Sequence, residues 1–437
     1  MKRFIALIAL LSLSFGAFAQ EKKEVEKKGF SLGAFPIVAF DQDKGFQFGA
    51  LANIYDFGKG GWYPNPRQQM YLEASWFTKG SQLYVLSYDN RFLIPTVRFS
   101  FAASFSNEKA LDFYGFNGYE SYYDSSLDPA YYKMGRMVPY GKIDFTGKIA
   151  EHFYWKFGYH FKYFILNDYD FTAKNLPAEE VQKMGGKTLF EWYKLMGCIE
   201  NDEFNGGMTS AWRAGLCYDS RDVENAPTKG LWADAFMEWA PKWMGTNKPY
   251  GRYYAVVRQY FPILSNGDLV FAYRANIQGF IGKPAFYVLP YESVLGPGYD
   301  RDGFGGYRTL RGLMRNRVQG QAICYFNTEL RWKFLHVKVF NQNLSFGVNA
   351  FFDGGRVLKD YPTLRSDGTP VIPSSWTGFF PEQLTKTNPE KFHLAAGGGL
   401  RFILNKNFII AVDYGRAFNR QDNGKGGSLY VNTGYLF

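Results

Sequence analysis

The feature that most constrains the fold of this chain is an alternation of apolar and polar side chains at period two. In residues 322–334 (AICYFNTELRWKF), Leu330 and Trp332 fall on one face, whereas Glu329 and Arg331 fall on the other. Such alternation predicts a β-strand, because successive side chains of a strand point to opposite faces. This strand is longer than most strands of soluble sheets. The same pattern recurs in residues 97–105, 152–161 and 408–414.

Composition decides which kind of β-protein the chain forms. Aromatic residues make up 19% of the sequence, and the mean hydropathy is −0.28. A soluble β-sandwich would not place large aromatic side chains on its outward face in strand after strand, because exposed patches of that size aggregate. A transmembrane β-barrel does so, since its outward face meets lipid. We therefore predict an all-β fold, a transmembrane antiparallel β-barrel.

Sixteen strands are predicted, and an even number is what single-chain bacterial barrels have. They lie near residues 32–40, 45–55, 68–78, 81–91, 96–106, 139–149, 152–165, 208–220, 231–239, 253–263, 268–279, 321–334, 344–353, 393–404, 408–416 and 428–437. If the N-terminus is periplasmic, the long gaps fall on the extracellular side and the short turns on the periplasmic side, as is typical of such barrels. The long gaps lie at about residues 107–138, 166–207, 280–320 and 354–392.

The N-terminus has the pattern of a secretory signal peptide. Lys2 and Arg3 precede an apolar run that is short for a membrane anchor, and the small-x-small sequence AFA stands before Gln20. Export of this kind predicts the outer membrane of a Gram-negative bacterium as the location. The expected organisation is a signal peptide at residues 1–19, a short charged periplasmic segment at 20–30 and the barrel at 31–437.

Charge, cysteine content and motifs exclude several functions. The formal net charge is +10, but an exported chain rarely meets nucleic acid, so a basic lumen or loops facing anionic lipid and lipopolysaccharide explain it better. The three cysteines have no CxxC spacing, so we expect neither a disulfide framework nor a metal site. The sequence has no GxSxG, HExxH or GxxxxGK[ST] motif, so we expect no enzyme activity and no cofactor. The acidic residues Asp219, Asp222 and Glu224 are expected to pair locally with Arg221.

A basic stretch at residues 305–320, GGYRTLRGLMRNRVQG, contains four arginines and no acidic residue. Its segment GYRTLRGL, followed by NTELR at residues 327–331, resembles the BamA/TamA superfamily of outer-membrane assembly factors. That family carries a (Val/Leu)-Arg-Gly-(Phe/Tyr) motif in its sixth extracellular loop, and Leu313 stands here in place of the aromatic residue. Further resembling segments are LCYDSRD with PTKG within residues 216–230, AFFDGGRV at 350–357 and AGGGLRF at 396–402.

The resemblance implies a partner for one of these arginines. In the family, the loop folds back into the lumen and its motif arginine meets the aspartate of the thirteenth strand. We therefore expect Arg311 to contact Asp353, with Glu329 as a second acceptor, and both acids lie on predicted inward faces. Gly312 would let the loop turn tightly. Two further arginines are expected to be solvated or to face lipid, namely Arg315 and Arg317.

The resemblance also shows a departure from the family pattern. Members that fold other barrels carry N-terminal POTRA domains that catch client proteins, whereas about ten residues separate Gln20 from the first predicted strand, too few to bury a core. We expect a barrel alone, so that a periplasmic protein or a lipoprotein would have to supply the periplasmic part.

The expected function is to assist the insertion or translocation of outer-membrane proteins or lipids. A client strand could pair at a weak seam between the first and last strands, which Gly434 would soften. The chain ends in GYLF, and Tyr435 and Phe437 form an aromatic C-terminus that resembles the recognition signal of bacterial outer-membrane barrels. The alternative is a channel or structural surface barrel that has lost the assembly role. A lipid-hydrolysing enzyme is disfavoured, since the serine motif is missing.

Overall fold

Sixteen strands form one sheet, and each strand pairs antiparallel with its neighbours in the sheet order. The structure is a computed structural model that describes residues 26–41, 45–63, 65–171, 175–297, 301–302, 304–339, 342–363, 388–405, 408–424 and 426–437. The expected signal peptide at residues 1–19 lies outside the described residues. The prediction of an all-β antiparallel barrel with sixteen strands is confirmed.

The barrel strands are β1 (Phe30–Asp41), β2 (Gly45–Asp56), β3 (Gln68–Phe77), β4 (Gln82–Ile94), β5 (Val97–Asp112), β6 (Lys133–Ala150), β7 (Phe153–Asn167), β8 (Gly206–Asp219), β9 (Gly230–Ala240), β10 (Tyr250–Pro262), β11 (Leu269–Ile281), β14 (Ala322–Val339), β15 (Gln342–Lys359), β16 (His393–Leu404), β17 (Phe408–Ala417) and β18 (Ser428–Thr433). A separate hairpin is formed by β12 (Tyr291–Glu292) and β13 (Arg301–Asp302). The α-helices are α1 (Ala178–Lys183), α2 (Leu189–Leu195) and α3 (Arg420–Asn423).

Alternation along each strand separates the lumen from the outer face. In β14, Glu329 and Arg331 are 1% and 3% exposed, whereas Leu330 and Trp332 are 44% and 49% exposed. The apolar side chains thus point outward and the charged ones inward, which is the reverse of a soluble protein and suits a barrel in lipid.

Strand ends are where the prediction and the structure differ most. β5 continues to Asp112 and β6 begins at Lys133, so the ladder extends beyond the predicted ends at residues 106 and 139. The alternation between an exposed apolar face and a buried polar face is lost there because this part of the hairpin is buried in the loops, so that Leu111 and Met134 are buried as well as the charged side chains. Asp112 and Lys133 face each other at its tip and form an ion pair.

The extracellular loops pack into a cap over the barrel. Helix α2 lies in the loop between β7 and β8, and it begins with a capping box formed by Thr188 and Glu191. No helix in the described part of the chain is both long and apolar enough to cross a membrane. The core of the cap is rich in aromatic side chains, which include Phe113, Phe116, Tyr131, Phe190, Trp192, Phe286, Tyr287 and Tyr361.

The sheet has two outer edges, β1 and β18, and we call the boundary between them the seam. The two strands lie side by side, but among the described residues no hydrogen-bonded ladder joins them. β18 pairs with β17 from Ser428 to Thr433, and the Gly434 N–H still donates to the main-chain oxygen of Ile409 at 2.8 Å. The prediction that the last strand continues to Phe437 is wrong, because Gly434 has a φ of 90° and turns the chain out of the strand.

Candidate functional site

The loop between β11 and β14, described at residues 282–297, 301–302 and 304–321, begins in the cap and continues inside the barrel, and we call it the plug loop. Its apolar side chains are buried against the inner faces of the last strands, which explains why this loop folds inward rather than into solvent. Leu310 and Leu313 are 1% and 0% exposed. The cluster contains Phe304, Leu310, Leu313 and Val318 from the loop with Ile323, Tyr325, Val357, Ala395 and Ala417 from the strands.

Arg311 lies at the centre of a fully buried ion-pair cluster. Its Nε and Nη2 atoms donate to the two carboxylate oxygens of Asp353 at 2.9 and 3.0 Å, and its Nη1 atom donates to Oε1 of Glu329 at 2.5 Å. Its main-chain N–H also donates to Asp353 at 3.0 Å. The guanidinium stacks 3.6 Å from the ring centre of Phe351. The structure therefore brings Arg311 together with both acids named from the sequence.

These contacts fix both the charge and the orientation of Arg311. A two-point contact between guanidinium and carboxylate is directional as well as strong. Burial lowers the pKa of Arg311, but the Asp353 and Glu329 carboxylates outweigh it and hold the pKa above its ordinary value. A third acid, Asp413, lies 3.5 Å from the same guanidinium and pairs with Arg401 at 2.8 Å.

Gly312 links the plug loop to the last hairpin of the barrel. Its φ is 89°, and a Cβ atom here would lie 2.7 Å from the main-chain nitrogen of Arg416, so only glycine fits without strain. The Gly312 N–H donates to the Tyr430 hydroxyl at 3.0 Å, and its carbonyl oxygen accepts from Asn423 at 3.0 Å. The plug loop thereby contacts β17, β18 and the turn between them.

The expectation that Arg315 and Arg317 are solvated or face lipid is wrong. Arg315 donates to both carboxylate oxygens of Glu108 on β5, at 2.5 and 3.1 Å. Arg317 is 1% exposed, because two extracellular loops fold over it. The main-chain carbonyl groups of these loops need hydrogen-bond donors, which the guanidinium supplies. Its guanidinium donates to the carbonyl oxygens of Gln421, Gly118 and Ser121 at 2.8, 2.7 and 3.0 Å.

The last four residues, 434–437, turn into the lumen, and we call them the tail. Arg331 donates to the main-chain oxygen of Phe437 at 2.8 Å, and its guanidinium lies 4.2 Å from the ring centre of Tyr435 and 4.8 Å from that of Phe437. Leu436 and Phe437 pack with Tyr260, Val270 and Ala272. The sequence prediction placed Tyr435 and Phe437 on the last strand, near residues 428–437, and it missed the contact of Arg331 with them because nothing local signals this long-range contact.

The acidic residues in the turn between β8 and β9 form only some of the local ion pairs expected from the sequence. Arg221 contacts Asp219 at 2.6 Å, which is local. Glu224 instead reaches two arginines of other strands, Arg91 at 2.6 Å and Arg98 at 3.0 Å. Burial raises the pKa of Glu224, but the two guanidiniums outweigh it and hold that pKa well below its usual range.

A cavity of about 1770 Å³ separates the plug loop from the wall formed by β2–β5. Most of the side chains of that wall that line it are neutral, among them Asn53, Tyr71 and Ser104, and Glu73 and Arg98 are charged exceptions. The cavity reaches the seam, where Ile37 of β1 and Tyr430 of β18 also line it. The lumen is thus filled on one side and open on the other.

The protein has a sixteen-stranded antiparallel barrel, a loop buried in its lumen and a seam that no ladder joins among the described residues. These features define a class of plugged outer-membrane barrels. The Omp85 superfamily domain matches residues 68–437, and the chain belongs to this superfamily. The predicted resemblance to BamA and TamA is thereby confirmed, and membership implies the bacterial outer membrane. The expectation of a non-catalytic protein agrees with this family.

Two solved structures have a similar fold. BamA from Haemophilus ducreyi lacking POTRA domains 1–3 is 15% identical with a TM-score of 0.50, and the match covers 93% of this chain and 70% of that one. CdiB from Escherichia coli is 8% identical with a TM-score of 0.55, and the match covers 94% of this chain and 63% of that one. At such identities the likeness concerns the fold alone. No curated protein matched the sequence.

Proposed function

We propose that the barrel assists the insertion or translocation of outer-membrane proteins or lipids through its seam. The observation that carries this proposal is the pair of strand edges, β1 and β18, which no ladder joins in the described part of the chain. An unpaired edge offers a row of main-chain donors and acceptors to an incoming strand. A seam without a hydrogen-bonded ladder costs little free energy to open.

The cap and the plug loop, which fills one side of the lumen, support a lateral route rather than an axial one. The cap closes the extracellular end with a buried aromatic core, and the plug loop is anchored beneath it by Arg311. A client would therefore leave sideways, between β1 and β18. The apolar outward side chains beside the seam favour this, since Phe30 and Val38 on β1 are 75% and 79% exposed.

The proposal includes how the barrel reaches its place and what it works with. Residues 1–19 would direct export and be cleaved, residues 20–30 would remain periplasmic, and residues 31–437 would form the barrel. A periplasmic protein or lipoprotein would deliver clients, and outer-membrane lipid with lipopolysaccharide would surround the outward face. Affinity purification from detergent extracts should bring such a partner with the barrel.

Depletion tests the assembly role. Cells depleted of the protein should lose other β-barrels from the outer membrane, and a variant with engineered disulfides between β1 and β18 should restore them only under reducing conditions. The same cysteines placed in β9 and β10, which share a full ladder, serve as the control. Normal barrel levels after depletion, or full rescue by the locked seam, would refute the role.

A passive channel is the alternative, and the cavity of about 1770 Å³ favours it. Conductance in planar bilayers separates the two functions. The assembly proposal expects small or no steady conductance while the plug loop is in place. Large steady conductance in the unmodified barrel would support the channel instead.

A further inference from the structure

The extracellular rim of the barrel carries its charges differently on its two sides. In the loops that follow β7, β9 and β11, three lysines lie against acidic side chains. Lys194 pairs with Asp168, and both Lys248 and Lys283 pair with Glu200. Opposite charges held this close offset one another. The acids on this side of the rim therefore satisfy its lysines without any further partner.

Basic side chains at the ends of β15, β16 and β17 have no such acids, and we call them the basic rim. They are exposed, and they are Arg356 of β15, Lys391 before β16, Arg416 of β17 and Arg420 of α3. None of them forms an ion pair with an acidic side chain among the described residues. The exposed Asp360, which follows β15, pairs with none of them either. Like charges gathered in one place repel, so the basic rim favours a bound anion.

Outward-facing phenylalanines lie beside the basic rim, and we call them the phenylalanine patch. Their rings form a chain of contacts with centroid distances of 6.4, 5.7 and 6.1 Å, in the order Phe392, Phe326, Phe352 and Phe418. Phe392 and Phe418 are 48% and 65% exposed. Gly354 leaves room for the Phe326 ring, since a Cβ atom there would lie 2.6 Å from it. The patch thus offers an open apolar surface next to the cations.

Strand register places one arginine at each end of the patch. Continuing the β15–β16 register sets Arg356 opposite Phe392, and Arg416 lies two residues before Phe418 on the same face of β17. Arg416 pairs with Ala396, which pairs with the residue four positions before Arg356 on β15. Two strands across and four residues along separate the two arginines by roughly 16 Å. Because both side chains point out of the barrel, each can hold an anionic group of its own.

We propose that the basic rim and the phenylalanine patch bind lipid A, the phosphorylated glycolipid anchor of lipopolysaccharide. The inference rests on the proposed function, which surrounds the outward face of the barrel with lipopolysaccharide. Guanidinium and ammonium groups bind phosphate oxygens through charge-assisted hydrogen bonds, and the phenylalanines contact the acyl chains below the headgroup. Lipid A carries two phosphates on one sugar headgroup, which suits two separated arginines. A phospholipid with a single phosphate suits them less well.

The same site borders the contact between the plug loop and the last hairpin. A Cβ atom on Gly312 would lie 2.7 Å from the main-chain nitrogen of Arg416, whose side chain points to the opposite side of the wall. A lipid that holds the Arg416 side chain therefore stabilises the strand against which the plug loop packs. Lipid A should raise the temperature at which the barrel unfolds, because a ligand that binds only the folded state stabilises it.

Native mass spectrometry of the purified barrel, stripped of bound lipid and held in detergent, measures the binding of diphosphoryl lipid A. Arg356→Gln and Arg416→Gln should each weaken binding about fivefold, as expected for one basic side chain at an anionic lipid headgroup. The double variant should lose about the product of the two effects, because the two side chains are far apart. Both side chains are exposed, so the variants should fold, which heat-modifiable gel mobility verifies.

Lys242→Gln is the matched control. Lys242 is an exposed cation of the same extracellular rim, between β9 and β10, and it lies next to Trp243, which is 71% exposed. The control removes one positive charge beside an aromatic side chain and should leave lipid A binding unchanged. Equal weakening by Lys242→Gln would show that only the net charge acts. That result, or unchanged binding in the double variant, would overturn the proposal.

Competition identifies the ligand. Phosphatidylglycerol has one phosphate, and pyrophosphate has no acyl chains, so each should displace lipid A only at concentrations at least about tenfold higher than lipid A itself. Phe418→Ala should weaken lipid A binding as well, because it removes apolar contact. Equal competition by either compound, or unchanged binding in Phe418→Ala, would overturn the assignment to lipid A. None of these measurements needs a client, so their failure leaves the assembly role to be decided by depletion.

Discussion

The two walls of the lumen differ in charge. The wall of β14–β17 presents a cluster of buried ionic side chains, whereas the wall of β2–β5 presents mostly neutral ones, with Glu73 as a charged exception among them. The first set contains Glu329, Arg331, Asp353, Arg401 and Asp413, and the second contains Leu51, Asn53, Tyr71, Val85, Ser87 and Ser104. Ionic groups need partners when buried, and neutral ones tolerate an empty or wet space.

This difference explains where the plug loop is attached. Arg311 supplies the charge that the acids of β14 and β15 require, and the cavity lies on the neutral side. The seam therefore joins two unlike edges. Both edges border the cavity, but only β18 is also held by the plug loop, through Tyr430, among the described residues.

The largest expected effect comes from breaking the charged wall. Asp353→Ala leaves a fully buried guanidinium without its main partner, which should lower the free energy of unfolding by about 3–5 kcal/mol. Ser87→Ala on the neutral wall should change it by no more than about 0.5 kcal/mol. Urea unfolding in detergent, followed by tryptophan fluorescence, measures both. Equal losses of unfolding free energy in the two variants would contradict the proposed difference between the two walls.

Gly312→Ala should have an intermediate effect on the contact between the plug loop and the last hairpin. The added Cβ meets main-chain atoms at 2.7 Å in a backbone conformation that favours glycine, so about 1–3 kcal/mol is expected. Gly61→Ala is the control, since Gly61 has a φ of 77° with no atom within 4 Å. Limited proteolysis should cut the plug loop faster only in the Gly312 variant. Equal protection in both variants would mean that close packing at Gly312 does not hold the loop.

The smallest expected effect is a pH dependence at the turn between β8 and β9. Arg98 and Arg91 hold the pKa of Glu224 below its unfolded value against the effect of burial. The resulting stabilisation is present above the unfolded pKa of about 4.3 and is lost as the pH falls below it. Glu224→Gln should therefore lose on the order of 1 kcal/mol at pH 7 and differ less from the unmodified barrel near pH 3. A difference that grows on acidification would contradict this assignment.

The fold was predictable because its signal is periodic. Alternation at period two marks each membrane strand, and it gave all sixteen strands of the sheet. The contact of Arg311 with Asp353 and Glu329 was expected from the resemblance to the BamA/TamA superfamily, combined with the predicted inward faces of two strands. The positions of Arg315, Arg317 and the tail were not foreseen. They depend on loops and side chains far apart in the sequence. The position of the tail also depends on the positive φ of Gly434, which the alternation of apolar and polar residues does not reveal.

Hydrogen exchange along β1 and β10 tests most directly the central claim, which is that no hydrogen-bonded ladder joins β1 to β18 at the seam. β10 pairs with β9 on one side and β11 on the other, whereas β1 pairs only with β2 in the described part of the chain. In lipid nanodiscs, peptides covering β1 should exchange about half of their amides rapidly, because alternate N–H groups of an edge strand face away from its single partner. Peptides covering β10 should stay protected on the same timescale. Protection of β1 equal to that of β10 would show a closed barrel and contradict the account.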